Sequence, residues 1–182
     1  MHVFDHKHWK ILESESRKKI QPTKLLIDQI DEMLDKKDVA FDIGAGTGYY
    51  TIPLSFIFKR VFAVEMNEKM VKILIKKLKE EGVKNVGIIV DDKPPNIDFD
   101  INFVLFANVL HEMDANLRFN YLKWAKNADA VCVIDWNKDA EFGPPKHVRV
   151  DESEIIKILK EVSFDVKKLD IYKYHYVIFG FR

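Results

Sequence analysis

Asp42-Ile43-Gly44-Ala45-Gly46-Thr47-Gly48-Tyr49-Tyr50 is the segment whose residue types most restrict the chemistry open to this chain. Alternating glycines let a backbone pass close to a bound ligand, because no Cβ intervenes. A dinucleotide-phosphate loop needs two residues between its second and third glycines. Here Thr47 alone separates Gly46 from Gly48. The preceding Asp42 is awkward beside a phosphate and suits an ammonium group. Glu65 closes a second apolar run, about where ribose-binding acids stand in dinucleotide folds, and its carboxylate can accept from both ribose hydroxyls. Asp91 and Asp92 close a third, where an acid can accept from an exocyclic amine. A ligand matching all three places has a cationic or amine end, a ribose and an amino-bearing base.

These acids meet only if their strands end at one edge of a sheet. Residues 39–43, 61–65, 86–90, 101–107 and 130–135 read as strands, and helical spacing covers 49–58, 68–81 and 115–127. Asn67 is a fitting N-cap for the helix at 68–81, and Gly82 a fitting stop. Asp151-Glu152-Ser153-Glu154 opens another helix with acids at its positive end. Residues 164–171 and 173–182 read as two strands joined too tightly for a crossover. Strand–helix alternation of this kind predicts an α/β, three-layer Rossmann-like fold with a mostly parallel seven-stranded sheet. One antiparallel strand is expected near its edge. Residues 1–35 form a helical annex and candidate lid, with Phe4 and Trp9 as its aromatic side chains, and residues 36–182 form the main body of one structural domain.

Composition removes several classes of function. The 182 residues carry 29 Lys plus Arg and 29 Asp plus Glu, so charge gives no reason to expect non-specific nucleic-acid binding. Cys132 is the single cysteine, which excludes an intrachain disulfide and a cysteine-based zinc site. It stands inside an apolar strand and reads as core. No apolar run is long enough for a membrane-spanning helix, and the first residues lack the apolar region of a secretory signal. A soluble, cytoplasmic protein without a bound metal is the expectation.

S-adenosylmethionine has the cationic end, ribose and amino-bearing base that the strand tips ask for. The chain resembles the class I S-adenosylmethionine-dependent methyltransferases over nearly its whole length. Asp42 through Gly48 is similar to the family's first motif, Glu65-Met66 to its ribose-contacting acid, and Asp91-Asp92 to its adenine-side acid. Asn108-Val109-Leu110-His111-Glu112-Met113, Ile134-Asp135-Trp136-Asn137-Lys138 and Gly143-Pro144-Pro145 resemble a small-molecule-type subgroup related to quinone-ring C-methyltransferases. The resemblance implies cofactor binding by Asp42, Gly44, Ala45, Gly46, Gly48, Tyr49, Glu65, Met66, Asp91, Asp92 and Asn108. It also implies methyl transfer by in-line displacement, with S-adenosylhomocysteine as product. Between Asp91 and Asp100 the chain is shorter and richer in proline than in relatives.

His111 follows the fourth strand on the expected substrate side and titrates near neutrality, which makes it the candidate catalytic base. The competing reading is a histidine held in the core by hydrogen bonds. No Asp/Asn-Pro-Pro-aromatic sequence follows the fourth strand, so nucleobase amino-methylation is disfavoured. A lone core cysteine excludes cytosine-C5 chemistry. A small methyl acceptor, modified at O, C or N, is the expected partner of a monomer or homodimer. Two other readings stay open: a non-catalytic, regulatory S-adenosylmethionine-binding module, and a nucleic-acid methyltransferase whose basic annex makes the contacts.

Overall fold

The computed structural model describes Trp9 and residues 14–182. Phe4 and the basic start of the annex, with His6, Lys7, His8 and Lys10, lie outside the described residues. Over residues 14–182 two helices come first, α1 (Glu15–Ile20) and α2 (Thr23–Met33), followed by β1 (Val39–Ile43) and α3 (Thr51–Ser55). Next come β2 (Arg60–Val64), α4 (Glu68–Glu80), β3 (Val86–Ile89) and β4 (Ile101–Ala107). The chain closes with α5 (Ala115–Trp124), β5 (Ala128–Trp136), α6 (Glu152–Glu161), β6 (Asp165–Leu169) and β7 (His175–Phe181).

The strands form one seven-stranded sheet in the order β3-β2-β1-β4-β5-β7-β6. Every pairing is parallel except those of β7, which runs antiparallel to both β5 and β6. The expected single reversed strand is therefore β7, second from the edge. The strand order reverses between β1 and β4, and open α/β sheets bind ligands outside the carboxyl ends at such a point. Both strands end there, at Ile43 and Ala107.

The alternation of side chains along β4 divides the core in two. Val104 and Phe106 join the α5–α6 layer with Tyr121, Leu122, Ile155 and Leu159. Phe103 and Leu105 join the opposite layer with Leu26 and Ile30 of α2 and Leu54 of α3. Burial on both faces is why β4 is apolar almost throughout. Leu74 and Leu78 of α4 pack on Ala63 of β2 and on Ala45. Asn67 caps α4 by accepting from the Lys69 N–H at 3.0 Å, and Gly82 leaves the helix at φ +67°.

Three elements differ most from the expectation, while other element ends shift by one or two residues. The helix expected over 49–58 contracts to Thr51–Ser55, because the chain turns at Gly48 with φ +89° before it can start. The expected fifth strand grows to Ala128–Trp136, since Ala128 pairs with Ile101 of β4 at one end and Trp136 with His175 of β7 at the other. The last turns of the 115–127 helix tighten into a 3₁₀ segment over Ala125–Asn127.

Candidate active site

The loop after β1 folds across the tip of β2. The N–H groups of Gly44 and Ala45 both donate to the Val64 carbonyl, at 2.8 and 3.1 Å. Gly44 and Gly46 hold φ of +71° and +56°, a region costly for residues with a Cβ. A Cβ on Gly44 would also lie 2.8 Å from Val109 Cβ and closer still to a γ-methyl. The third glycine works differently. A Cβ on Gly48 would meet Leu74 Cδ1 at 2.5 Å, so this glycine lets the loop close against α4 and is absent from the cleft lining.

Glu65, just past β2, is fastened at both oxygens. Oε2 accepts from the Gly46 N–H at 2.9 Å and Oε1 from the Asn67 N–H at 2.8 Å. Burial raises its pKa, against the opposing pull of those N–H groups. A carboxylate offers about four lone-pair sites, so two acceptor positions remain for a ligand. Asp42 is 2% exposed and accepts from Thr51 Oγ1 at 2.6 Å. Burial pushes its pKa up to about 6, with the Thr51 hydrogen bond and the Arg17 charge working the other way.

A cleft of about 510 Å³ opens over these strand tips, within the ~300–1,000 Å³ usual for small-molecule sites. Asp42, Gly44, Ala45, Gly46, Tyr49, Glu65, Met66, Asp91, Asp92 and Asn108 all line it. Both aspartates after β3 are exposed, and neither is singled out by a cofactor-facing contact. They belong with Glu65 to one acidic end, for after burial the charges of Asp91, Asp92 and Glu65 are what raise the Tyr121 hydroxyl's pKa.

Asn108 holds φ +57° without being glycine, a conformation that asparagine tolerates better than most residues. Its Nδ2 donates to Gln21 Oε1 at 2.8 Å, tying the tip of β4 to the junction of α1 and α2. Sequence reasoning missed Arg17, Val109, Met113, Leu117 and Tyr121, all of which line the cleft. Arg17 sits in a charged stretch that reads as a solvated helix face, and no local signal marks it otherwise.

His111 is not brought into the lining. It is 9% exposed, with Nδ1 2.7 Å from Asp135 Oδ1, while its backbone N–H donates to Asp135 Oδ2 at 3.1 Å. Burial opposes its protonation, but the Asp135 charge and hydrogen bond outweigh burial and leave its pKa above the ordinary value. The pair anchors the 3₁₀ turn Leu110–Glu112 to the end of β5. The subgroup motifs at residues 134–138 and 143–145 also lie outside the cleft lining. Arg149 gathers the loop after β5 by donating to the carbonyls of Pro144, Asn137, Lys138, Ala140 and Phe142. Trp136 packs on His175, with ring centroids 4.1 Å apart.

The residues present fit a sulfonium nucleoside. Gly44 and Gly46 keep Cβ atoms out of the loop, and the donor set is acidic where an ammonium, a ribose and an amino-bearing base must be held. Comparison with known proteins agrees. A family model described as "Methyltransferase domain" matches residues 40–128. The probable ribosomal RNA small subunit methyltransferase A of Methanosphaera stadtmanae is 26% identical over 129 residues, covering 70% of this chain and 47% of that protein. The chain thus spans about half the length of this curated relative. A SAM-dependent methyltransferase from Aquifex aeolicus has a similar structure, with TM-score 0.85 and 25% identity over 98% of both chains. Magnesium protoporphyrin IX methyltransferase from Synechocystis PCC 6803, solved with bound SAM, shares the fold at TM-score 0.69 and 20% identity, over 89% of this chain and 78% of that one. Glycine loop, acid-tipped strands and relatives point one way: the chain matches a methyltransferase-domain model over residues 40–128 and is similar in fold to S-adenosylmethionine-dependent methyltransferases.

Proposed function

We propose that this chain transfers a methyl group from S-adenosylmethionine to a small-molecule acceptor. The observation that carries the reading is that carboxylates at or just past the carboxyl ends of three adjacent strands, Asp42, Glu65 and Asp91-Asp92, open on one cleft beside a glycine loop. Asp42 takes the ligand's ammonium group. Glu65 uses its remaining lone pairs for the ribose hydroxyls, and Asp91 or Asp92 accepts from the adenine amine. Gly44, Ala45 and Gly46 let the ligand lie against backbone, with Tyr49, Met66 and Asn108 completing the walls. Once bound, S-adenosylmethionine supplies a methyl group already made electrophilic by its sulfonium.

The protein's remaining task is to align the acceptor and keep water out. Val109, Met113 and Leu117 give the cleft an apolar wall for this. His111 acts as a positioning residue, since its bond to Asp135 fixes the turn that carries Val109, Glu112 and Met113. α1, in the annex at residues 1–35, covers the amino-acid end through Arg17 and its cap Gln21.

A small acceptor is favoured over RNA by charge. The lining presents six carboxylates (Asp42, Glu65, Glu68, Asp91, Asp92 and Glu112) against Arg17 and Lys69. A phosphate backbone needs the opposite balance. The name of the Methanosphaera relative is what favours the second reading, an RNA acceptor. Incubation with methyl-labelled S-adenosylmethionine and a panel of quinols, phenols, amines and ribosomal RNA fragments separates the two. Label on a small molecule is expected. Label confined to RNA overturns the acceptor class, and S-adenosylhomocysteine binding without transfer to any acceptor favours a regulatory module.

A further inference from the structure

The amino-acid end of the cleft holds more polar groups than an ammonium requires. Arg17 lines it, with the guanidinium 4.1 Å from the Tyr49 ring centroid and near enough to Asp42 to affect its charge. Gln21, the C-terminal cap of α1, is fully buried directly behind the cleft lining and is hydrogen-bonded to three lining residues. Its Oε1 accepts from Asn108 Nδ2 at 2.8 Å and from Arg17 Nε at 3.4 Å. Both nitrogens can only donate, so the amide's orientation is fixed, with its oxygen toward them. The Tyr49 hydroxyl donates to the Gln21 carbonyl at 2.9 Å, fixing the backbone as well.

Two atoms of this network are left over. Gln21 Nε2, a donor, and Asn108 Oδ1, an acceptor, are buried without a hydrogen-bond partner among the described residues. Folded proteins rarely leave such atoms unpaired, and each exception calls for a reason. A guanidinium and an amide N–H beside a carboxylate and an amide oxygen form the complement of a zwitterion. A ligand carboxylate also has to overcome the acidity of the rest of the lining, and a local cation meets that need.

We infer that Arg17 and Gln21 Nε2 bind the carboxylate of the methionine moiety, while Asn108 Oδ1 joins Asp42 in accepting from its ammonium. The inference rests on the S-adenosylmethionine reading of the cleft and extends it to the annex, which becomes part of the binding site. Arg17 and Gln21 give the cleft a preference for an intact amino acid over its decarboxylated analogue.

Calorimetric titration of the full chain with three ligands tests this. S-adenosylhomocysteine carries both charges, 5′-(3-aminopropylthio)-5′-deoxyadenosine lacks the carboxylate, and 5′-methylthioadenosine lacks both. Wild-type protein is expected to prefer S-adenosylhomocysteine over the aminopropyl compound by about ten- to a hundredfold. Arg17→Met is expected to reduce that ratio to below about threefold and leave methylthioadenosine affinity unchanged, with Arg17→Lys in between. α1 buries none of its residues, so these variants should fold. A ratio that survives Arg17→Met, equal weakening of all three ligands, or no preference in the wild type overturns the inference alone. Failure of the wild type to bind any of the three overturns the S-adenosylmethionine reading and this inference together.

Discussion

Affinity for S-adenosylhomocysteine is expected to fall as the pH drops through about 6, because Asp42 must be ionised to hold the ligand's ammonium. Burial pushes the Asp42 carboxyl up to about 6 in the ligand-free protein. An amino-acid ammonium stays charged across this range, so protonation of Asp42 competes directly with binding. The apparent Kd then rises by the factor 1 + 10^(pKa − pH), about twofold at pH 6 and about tenfold at pH 5 relative to pH 8. Titrations at pH 5, 6, 7 and 8 in buffers of different ionisation enthalpy measure both the Kd and the protons released, about half a proton at pH 6. Asp42→Asn should weaken binding at pH 8 and lose most of this dependence, with Glu65 supplying what remains. Stability should respond in the opposite sense. Between the unfolded value near 3.8 and the folded value near 6, the native state holds more protons, so stability falls as the pH rises across that window. At pH 7 the ionised, buried group then costs up to about 3 kcal/mol, and Asp42→Asn should melt higher while binding less. A Kd flat from pH 8 to 5, or an equal slope in Asp42→Asn, would refute the reasoning.

Gly44→Ala combines a positive φ with contact against Val109 and should cost about 2–5 kcal/mol. Thermal melts should show partial recovery when Val109→Ala is added, and strictly additive losses would contradict the packing described. His111→Gln should lower stability by about 3 kcal/mol while leaving turnover per folded molecule near wild type; a turnover loss of a hundredfold or more would restore His111 to the chemistry. The His111–Asp135 pair has its own pH signature. A histidine pKa raised by folding stabilises fully below the ordinary value and loses this as the pH climbs past the raised one. The stability difference between wild type and Asp135→Asn, measured by urea denaturation, should therefore be larger at pH 6 than at pH 9.

Strands were legible in the sequence wherever burial on both faces made an apolar run, and β4 coincides with its expectation at Ile101–Ala107. Asp42, Gly44, Gly46 and Glu65 were legible because a turn with these residues at a strand end has few other uses. Other features depend on partners distant in the chain. Gly48 reads as one of three equivalent loop glycines until Leu74 shows that it serves packing. His111 reads from the sequence either as a catalytic base or as a hydrogen-bonded core histidine, and its partner Asp135 lies 24 positions away. Arg17 and Gln21 sit in a stretch of mixed charge, and only the docking of α1 near Asn108 gives them a role. Arg149 carries no motif, yet its guanidinium organises the loop between β5 and α6.

Titration of S-adenosylhomocysteine into wild-type protein and into Gly46→Val tests most directly whether the glycine loop cradles the nucleoside. Gly46 combines a φ of +56° with the N–H that holds Glu65, so valine there disturbs loop and acid together. Saturable heat from the wild type and its loss in the folded variant are expected. Equal heats from both proteins, or none from the wild type, would contradict the assignment of this cleft.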